Sequence, residues 1–243
     1  MIYALISDVH GNLEALTAVM DDIKRHGAID GVFFLGDAVG YGANPNEVLQ
    51  IINATCDVKL MGNHDYSALG LLDPTDFNVY AQSGINFSVS VLTSQSQGIL
   101  SSFRLIERVG ELLLVHATPD APESWSYCLS TAEANRQFDA FEEPICFIGH
   151  SHQPLTFRQD PLGECDMLCD EELSLSDDCR YIANIGSVGQ PRDGDPRACY
   201  AIYDTISQRL HYRRLPYDIE AAQHKMRAVY LPAFLIERLT EGR

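Results

Sequence analysis

Positive charge and long apolar runs are both scarce in this chain. Its 243 residues include 17 Lys and Arg against 34 Asp and Glu, a formal net charge of −17. Such a surface repels polyanions at long range, so no polymeric nucleic acid is expected as a partner. No apolar stretch approaches the ~20 residues that span a bilayer, so no membrane partner is expected either. The apolar start, MIYALIS, has no basic segment before it and is cut off by Asp8. It reads as a first strand rather than a signal peptide. The Gly-x4-Gly-Lys-Ser/Thr phosphate loop is missing, which disfavours NTPases of that type. There is no internal repeat, heptad array or low-complexity segment. The seven cysteines are odd in number and scattered. With no export signal, that pattern suggests reduced thiols in a cytoplasm. Cys165, Cys169 and Cys179 have irregular spacing and no clear fourth ligand, so they read as unpaired thiols and not as a structural zinc site.

Hydrophobic residues make up 46% of the chain, enough for a sizeable core. Ile2–Ser7, Val32–Leu35 and Val58–Met61 read as buried strands. Between the first two, Leu13, Leu16, Met20 and Ile23 have helical spacing, and Gly27 closes that helix. Pro45 suits the first turn of a second helix carrying Val48, Leu49, Ile51 and Ile52. Alternation of this kind predicts βαβ units, a largely parallel sheet and an α/β fold. Residues 75–103 read as mostly helical, with a break near Thr93–Gln97. Strands follow at Leu112–Val115 and Ile145–Ile148, separated by a Pro-containing loop at 118–130 and a helix at 131–141. Four further strands, Leu155–Arg158, Tyr181–Ile185, Cys199–Tyr203 and Leu210–Leu215, predict a following sheet of antiparallel character. One domain spanning 1–243 is expected, with an acidic insertion or hairpin at 164–178 and a helical tail at 218–243.

Five short motifs stand beside predicted strand ends: Asp8-x-His10, Gly36-Asp37-x-x-Gly40, Gly62-Asn63-His64-Asp65, a lone His116, and Gly149-His150-Ser151-His152. They hold five of the eight histidines. Carboxylate, imidazole and carboxamide are ligand types suited to divalent transition metals. Residues i and i+2 of an extended segment point the same way, so Asp8 with His10, and His150 with His152, can each present two ligands to one side. Asp37 is hemmed by small neighbours, and its two oxygens suit a bridge between two metals. Two divalent ions bring four positive charges, of which Asp8 and Asp37 cancel two. A residual positive centre attracts phosphate and lowers the pKa of a bound water toward neutrality, making a hydroxide that can attack phosphorus. His64 follows Asn63 and projects elsewhere, toward a leaving oxygen. With Asp65 beside it to hold its orientation and proton, it is assigned as general acid or transition-state donor.

The motif set resembles the calcineurin-like metallophosphoesterases, and more narrowly their compact prokaryotic members related to the diadenosine tetraphosphatases. Asn184-Ile185-Gly186-Ser187-Val188-Gly189-Gln190-Pro191-Arg192 resembles the N-P-G-S-V-G-Q-P-R segment of that narrower group, with Ile185 where Pro is usual. The resemblance implies a two-sheet α/β/β/α sandwich with metals at the C-terminal ends of strands. It implies one metal on residues Asp8, His10, Asp37 and His152 and a second on Asp37, Asn63, His116 and His150, with His64 catalytic. Manganese is the leading candidate, with iron, zinc, cobalt or nickel as alternatives.

Arg192 can pair with phosphate bidentately and Ser187 can donate to it; equally, both can belong to a strand-end turn. Tyr41 either lines the substrate or covers the sheet end. Trp125 can stack a base or simply pack. His26, His211 and His224 carry no motif. The expected function is dimetal-dependent hydrolysis of small phosphate esters or nucleotides. Narrower or rival readings are a dinucleoside polyphosphate hydrolase, a serine/threonine protein phosphatase, and a non-catalytic scaffold that keeps the fold. The presence of every ligand argues against the scaffold. No sequence feature requires an oligomer.

Overall fold

The computed structural model describes residues 1–243. The first third alternates β1 (Ile2–Ile6), α1 (Leu13–His26), β2 (Gly31–Phe34), α2 (Pro45–Thr55) and β3 (Val58–Lys59). Asn12 starts α1 by accepting from the Ala15 amide at 3.1 Å, and Gly27 ends it at φ 75°, a left-handed conformation that glycine adopts without steric cost. Next come α3 (Asn63–Ala68), α4 (Val79–Val91), α5 (Ser94–Leu100), β4 (Ile106–Val109), β5 (Leu112–Val115), α6 (Thr131–Gln137) and β6 (Ile145–Ile148). Thr93 makes the break between α4 and α5 by capping the Ser96 amide. The chain closes with β7 (Pro154–Gln159), β8 (Cys165–Leu168), β9 (Glu172–Ser174), β10 (Arg180–Ile185), β11 (Ala198–Asp204), β12 (Arg209–Leu215), α7 (Ile219–Ala228) and α8 (Ala233–Glu237).

Two six-stranded sheets form, in the orders β3-β2-β1-β11-β12-β9 and β4-β5-β6-β10-β7-β8. The first is parallel in one half, β3-β2-β1, and antiparallel in the other, from β11 on; the second has a parallel centre, β5-β6-β10, flanked by antiparallel strands. The late strands therefore do not build a separate antiparallel sheet; they complete both sheets. Their apolar faces explain this. In the first sheet Tyr3, Leu5, Phe33, Leu35 and Ala201 point to the second sheet, where Leu114, Phe147 and Ala183 meet them. Alternate residues face outward, Ala4, Ile6 and Phe34 against α1 and α2, and Leu113, Cys146 and Ile182 against Phe138 and Ala134. A strand buried on both faces needs a partner on each edge, and only the late strands remain to supply one. The result is an α/β/β/α sandwich. The acidic stretch 164–178 supplies β8 and β9, the outer strand of each sheet. Charge on an exposed edge discourages pairing with other chains.

One ion pair ties a helix to its sheet. The Asp22 carboxylate of α1 accepts from Tyr200 Oη at 2.7 Å and Arg213 Nε at 2.8 Å. Burial opposes its charge, but the Tyr200 and Arg213 hydrogen bonds hold its pKa below the ordinary value. A depressed carboxylate pKa adds stability above the unfolded value near 4, and that stability is lost as pH falls through the lower folded value. Asp22→Asn is therefore expected to cost about 1 kcal/mol at pH 7 and much less near pH 3. Thermal melts of both proteins at the two pH values check this; an equal gap at both would refute it.

Candidate metal centre

All five motifs lie at the C-terminal ends of β1, β2, β5 and β6 or directly after β3, where the loops of the two sheets converge. Main-chain hydrogen bonds zip these loops together. The amides of Asp8, His10 and Gly11 donate to Gly36, Asp37 and Ala38 carbonyls at 2.8–2.9 Å, and Gly149 N donates to His116 O at 2.8 Å. Two groups of side chains able to hold a metal result: Asp8, His10, Asp37 and His152, and Asp37, His116 and His150, each with donor atoms within 4.8 Å of one another. Asp37 belongs to both. Asn63, buried at the start of α3, lines the same cavity.

The i, i+2 pairs do not converge through an extended pleat. Asp8, His10, Asp37, His150 and His152 all have positive φ, between 49° and 66°. That left-handed region costs a non-glycine residue roughly 1–2 kcal/mol each. The turns send Asp8 and His10 into one group but divide His152 and His150 between the two. Gly62 and Gly149 let the backbone close in: a Cβ at Gly62 would stand 2.1 Å from Asp37 Oδ1, and one at Gly149 2.6 Å from Asp8 Oδ2.

The histidines are oriented from behind. Nδ1 of His10, His116 and His152 lies 2.9, 2.8 and 2.5 Å from the carbonyls of Val39, Leu35 and Gln190. A carbonyl accepts only, so each Nδ1 carries hydrogen and, in the neutral ring, each Nε2 presents a lone pair. For His150 the pattern is reversed: Nε2 donates to Trp125 O at 2.9 Å, leaving Nδ1 as the ligand atom. Trp125 thus acts through its main chain.

This donor set fits divalent metal. His10 Nε2 and His152 Nε2 face each other at 3.1 Å, lone pair against lone pair. His116 Nε2 stands 3.4 Å from Asp37 Oδ2 and 4.0 Å from Asp8 Oδ1. Asp8 Oδ1, Asn63 Oδ1 and His116 Nε2 are buried without a hydrogen-bond partner. A cation between these atoms relieves all of these conflicts. Without one, a proton is the only substitute. Although burial opposes it, the Asp37 and Asp8 carboxylates raise the His116 pKa to about 9. Burial lowers His150 to about 3 and keeps His10 neutral.

The adjacency of His64 and Asp65 does not make them a pair. The Asp65 carboxylate turns back over the start of α3 and accepts from the amides of Asp37, Ala38, Val39 and Gly62 at 2.8–3.2 Å. It holds the Asp37 loop. His64 has no carboxylate partner on its ring, and burial lowers its pKa to about 4 although Asp37 opposes this. The ring is therefore neutral at pH 7. Its Nδ1 is buried against Gly40, where a Cβ would come within 2.4 Å. Rings of Tyr41, His10 and Phe77 surround it at centroid distances of 4.6–5.2 Å.

A cavity of about 450 Å³ opens over the centre, lined by Asp37, Asn63, His64, His150 and His152 and by Tyr41 and Arg192. Ser187 is not in it. Its hydroxyl is fully buried, donating to Asp8 O at 2.8 Å and accepting from Gln190 N at 2.9 Å, so it fixes the Asp8 turn and contacts no substrate. Phe77, Asn78, Tyr80, Tyr127, Phe234 and Arg238 also line the cavity. No motif marks them in the sequence; they arrive through packing of the α4 start, the 118–130 loop and the α8 region. Cys165, Cys169 and Cys179 are free and join no ligand group.

Residues 1–208 match the family model of the calcineurin-like phosphoesterase superfamily domain. The chain belongs to the calcineurin-like phosphoesterase superfamily. It is 39% identical over 246 residues to the uncharacterized protein MJ0912 of Methanocaldococcus jannaschii, an alignment covering 99% of this chain and 98% of that one. The crystal structure of a metallophosphoesterase from Sphaerobacter thermophilus superposes with a TM-score of 0.89 at 38% identity, over 100% of this chain and 99% of that one. The hypothetical protein PH1004 of Pyrococcus horikoshii OT3 shares the fold, with a TM-score of 0.79 at 17% identity and coverage of 100% and 98%. No helix of this member is long and apolar enough to cross a membrane.

Proposed function

We propose that the protein hydrolyses P–O bonds of small phosphate esters or nucleotides, using two divalent ions, with manganese the first candidate. Asp8, His10, Asp37 and His152 hold one ion, and Asp37, Asn63, His116 and His150 the other. The observation that carries this reading is the set of buried, unpartnered donor atoms, Asp8 Oδ1 and His116 Nε2 in two groups that share Asp37, and Asn63 Oδ1 on a residue that lines the cavity with Asp37. When bound, the ions supply Lewis-acid charge at the phosphoryl oxygens and make water a better nucleophile at neutral pH. Asp8 and Asp37 leave that charge half neutralised, so an anion is drawn in despite the acidic surface. Neutral His64 offers an N–H to the phosphoryl or leaving oxygen, its Nε2 being the nitrogen free to reach the cavity; it acts as a hydrogen-bond donor and not as a store of protons. Tyr41 and Arg192 line the phosphate's path. A cavity of this size suits a small molecule.

Purified protein with manganese is expected to hydrolyse p-nitrophenyl phosphate or its bis ester. Chelation should abolish turnover and added metal restore it. A folded protein inactive with manganese, iron, zinc, cobalt and nickel would instead support a scaffold. Mononucleotides, cyclic nucleotides and dinucleoside polyphosphates, compared at equal concentration, rank the candidate substrates.

A further inference from the structure

Two arginines face this cavity, which also presents the carboxylates of Asp37 and Asp76. Arg192 comes from the loop after β10, and Arg238 from the turn that follows α8. Neither pairs with an Asp or Glu side chain, although carboxylates outnumber basic residues two to one. Arg192 spends Nε and Nη2 on one acceptor, Gln190 Oε1, at 3.3 and 2.9 Å, and its guanidinium carbon lies 5.5 Å from the centre of the Tyr41 ring. Arg238 donates Nε to the Arg243 main-chain oxygen and rests against Phe234 at 5.2 Å. Both Nη groups of Arg238 have no protein acceptor. Burial, and then the charge of Arg192, push the Arg238 pKa down to about 10. Two like charges held at one partly buried wall are unfavourable unless an anion joins them.

That wall adjoins the metal centre, since Arg192 N donates to His152 O at 3.2 Å. Tyr41 packs at the junction, its ring 4.7 Å from His10 and 4.6 Å from His64, with the Arg192 guanidinium carbon 5.5 Å from its centre. Beyond the arginines the cavity rim is aromatic: Tyr80 and Phe234 stack at 4.4 Å, and both are more than a third exposed.

Resting on the phosphoesterase reading above, we propose that Arg192 and Arg238 form a second anion subsite. The preferred substrate then carries a further phosphoryl group next to the one under attack, as a nucleoside diphosphate or polyphosphate does, with its organic part toward Tyr80 and Phe234. An orthophosphate monoester fills only the metal end. Guanidinium forks suit phosphoryl oxygens bidentately, and each charged hydrogen bond contributes enough to change affinity about tenfold.

The test compares ADP with p-nitrophenyl phosphate in the metal-loaded protein, and follows inorganic pyrophosphate binding to metal-free protein by calorimetry. Arg238→Leu keeps the packing on Phe234. It is expected to lower the ratio of kcat/KM for ADP to that for p-nitrophenyl phosphate at least about tenfold, through KM, and to weaken pyrophosphate binding by a similar factor. Arg238→Lys keeps the charge and should recover part of both. An unchanged ratio and unchanged pyrophosphate binding in Arg238→Leu would overturn the subsite and leave the phosphoesterase reading intact. Failure of the wild type to hydrolyse either substrate would strike the phosphoesterase reading, while pyrophosphate binding would still decide the subsite.

Discussion

Asp37→Ala is expected to lower metal-dependent turnover by on the order of 1,000-fold or more. Asp37 is the residue common to both ligand groups, so its loss opens both metal positions at once. The same substitution removes a buried carboxylate whose neighbour is Asp8. In metal-free protein that carboxylate also pairs with His116 and accepts from His64 N at 2.9 Å, so its loss should lower the melting temperature, and the gap should widen when metal is added. Wild type should gain stability in proportion to metal saturation, and Asp37→Ala should gain little. Alanine also loses the tolerance of Asp for the φ of 60° at this position. Asp37→Asn separates the two effects, because asparagine accepts that backbone and keeps one oxygen while losing the charge. Asparagine should restore the metal-free melting temperature without restoring full metal affinity. Equal metal-induced stabilisation in wild type and Asp37→Ala would remove Asp37 from the bridging position, whatever the turnover.

What could be read from the sequence was local. Leu13, Leu16, Met20 and Ile23 announce α1 because helical spacing is a property of one segment, and Gly27 and Pro45 mark boundaries through their own backbone preferences. Candidate ligands were visible for the same reason: each sits a residue or two past an apolar run. Sheet membership was not visible. β1 and β11 are apolar on both faces, so nothing in either segment says which edge it will pair. Asp8 and His10 do meet in one group, but not through a pleat: the turn after β1 is left-handed, a conformation set by the bonds to Gly36 and Asp37 across the sheet, and the same geometry after β6 divides His150 from His152. Ser187 looked like a phosphate donor because glycines flank it; burial turns its hydroxyl inward to Asp8. Arg238 and Phe234 carry no signal of their own, since a tail helix shows neither where it docks nor what it faces. His64 and Asp65 misled through adjacency. In the first turn of a helix the side chain at the third position reaches back to the cap, so sequence neighbours point apart.

That last geometry gives Asp65 a large and testable effect on stability. Four main-chain amides end on its two oxygens, and three of them belong to the consecutive residues Asp37, Ala38 and Val39. No other acceptor is in place for these buried donors. Asp65→Ala leaves them unsatisfied and is expected to destabilise the metal-free protein by about 4 kcal/mol, a fall in melting temperature of roughly 8–16 °C. Asp65→Asn keeps the shape but offers one oxygen and an NH2 group to N–H partners, so it should fall between wild type and alanine. The loop that Asp65 holds carries Asp37, so metal affinity should weaken in step with stability, and saturating metal should recover much of the turnover in the asparagine variant. A partner of His64 would behave otherwise: kcat would fall and its pH profile would shift, with melting temperature and metal affinity little changed. Urea and thermal melts of metal-free protein, read beside kcat against pH at saturating metal, separate the two roles, and a stable Asp65→Ala protein with abolished turnover would place Asp65 in the chemistry after all.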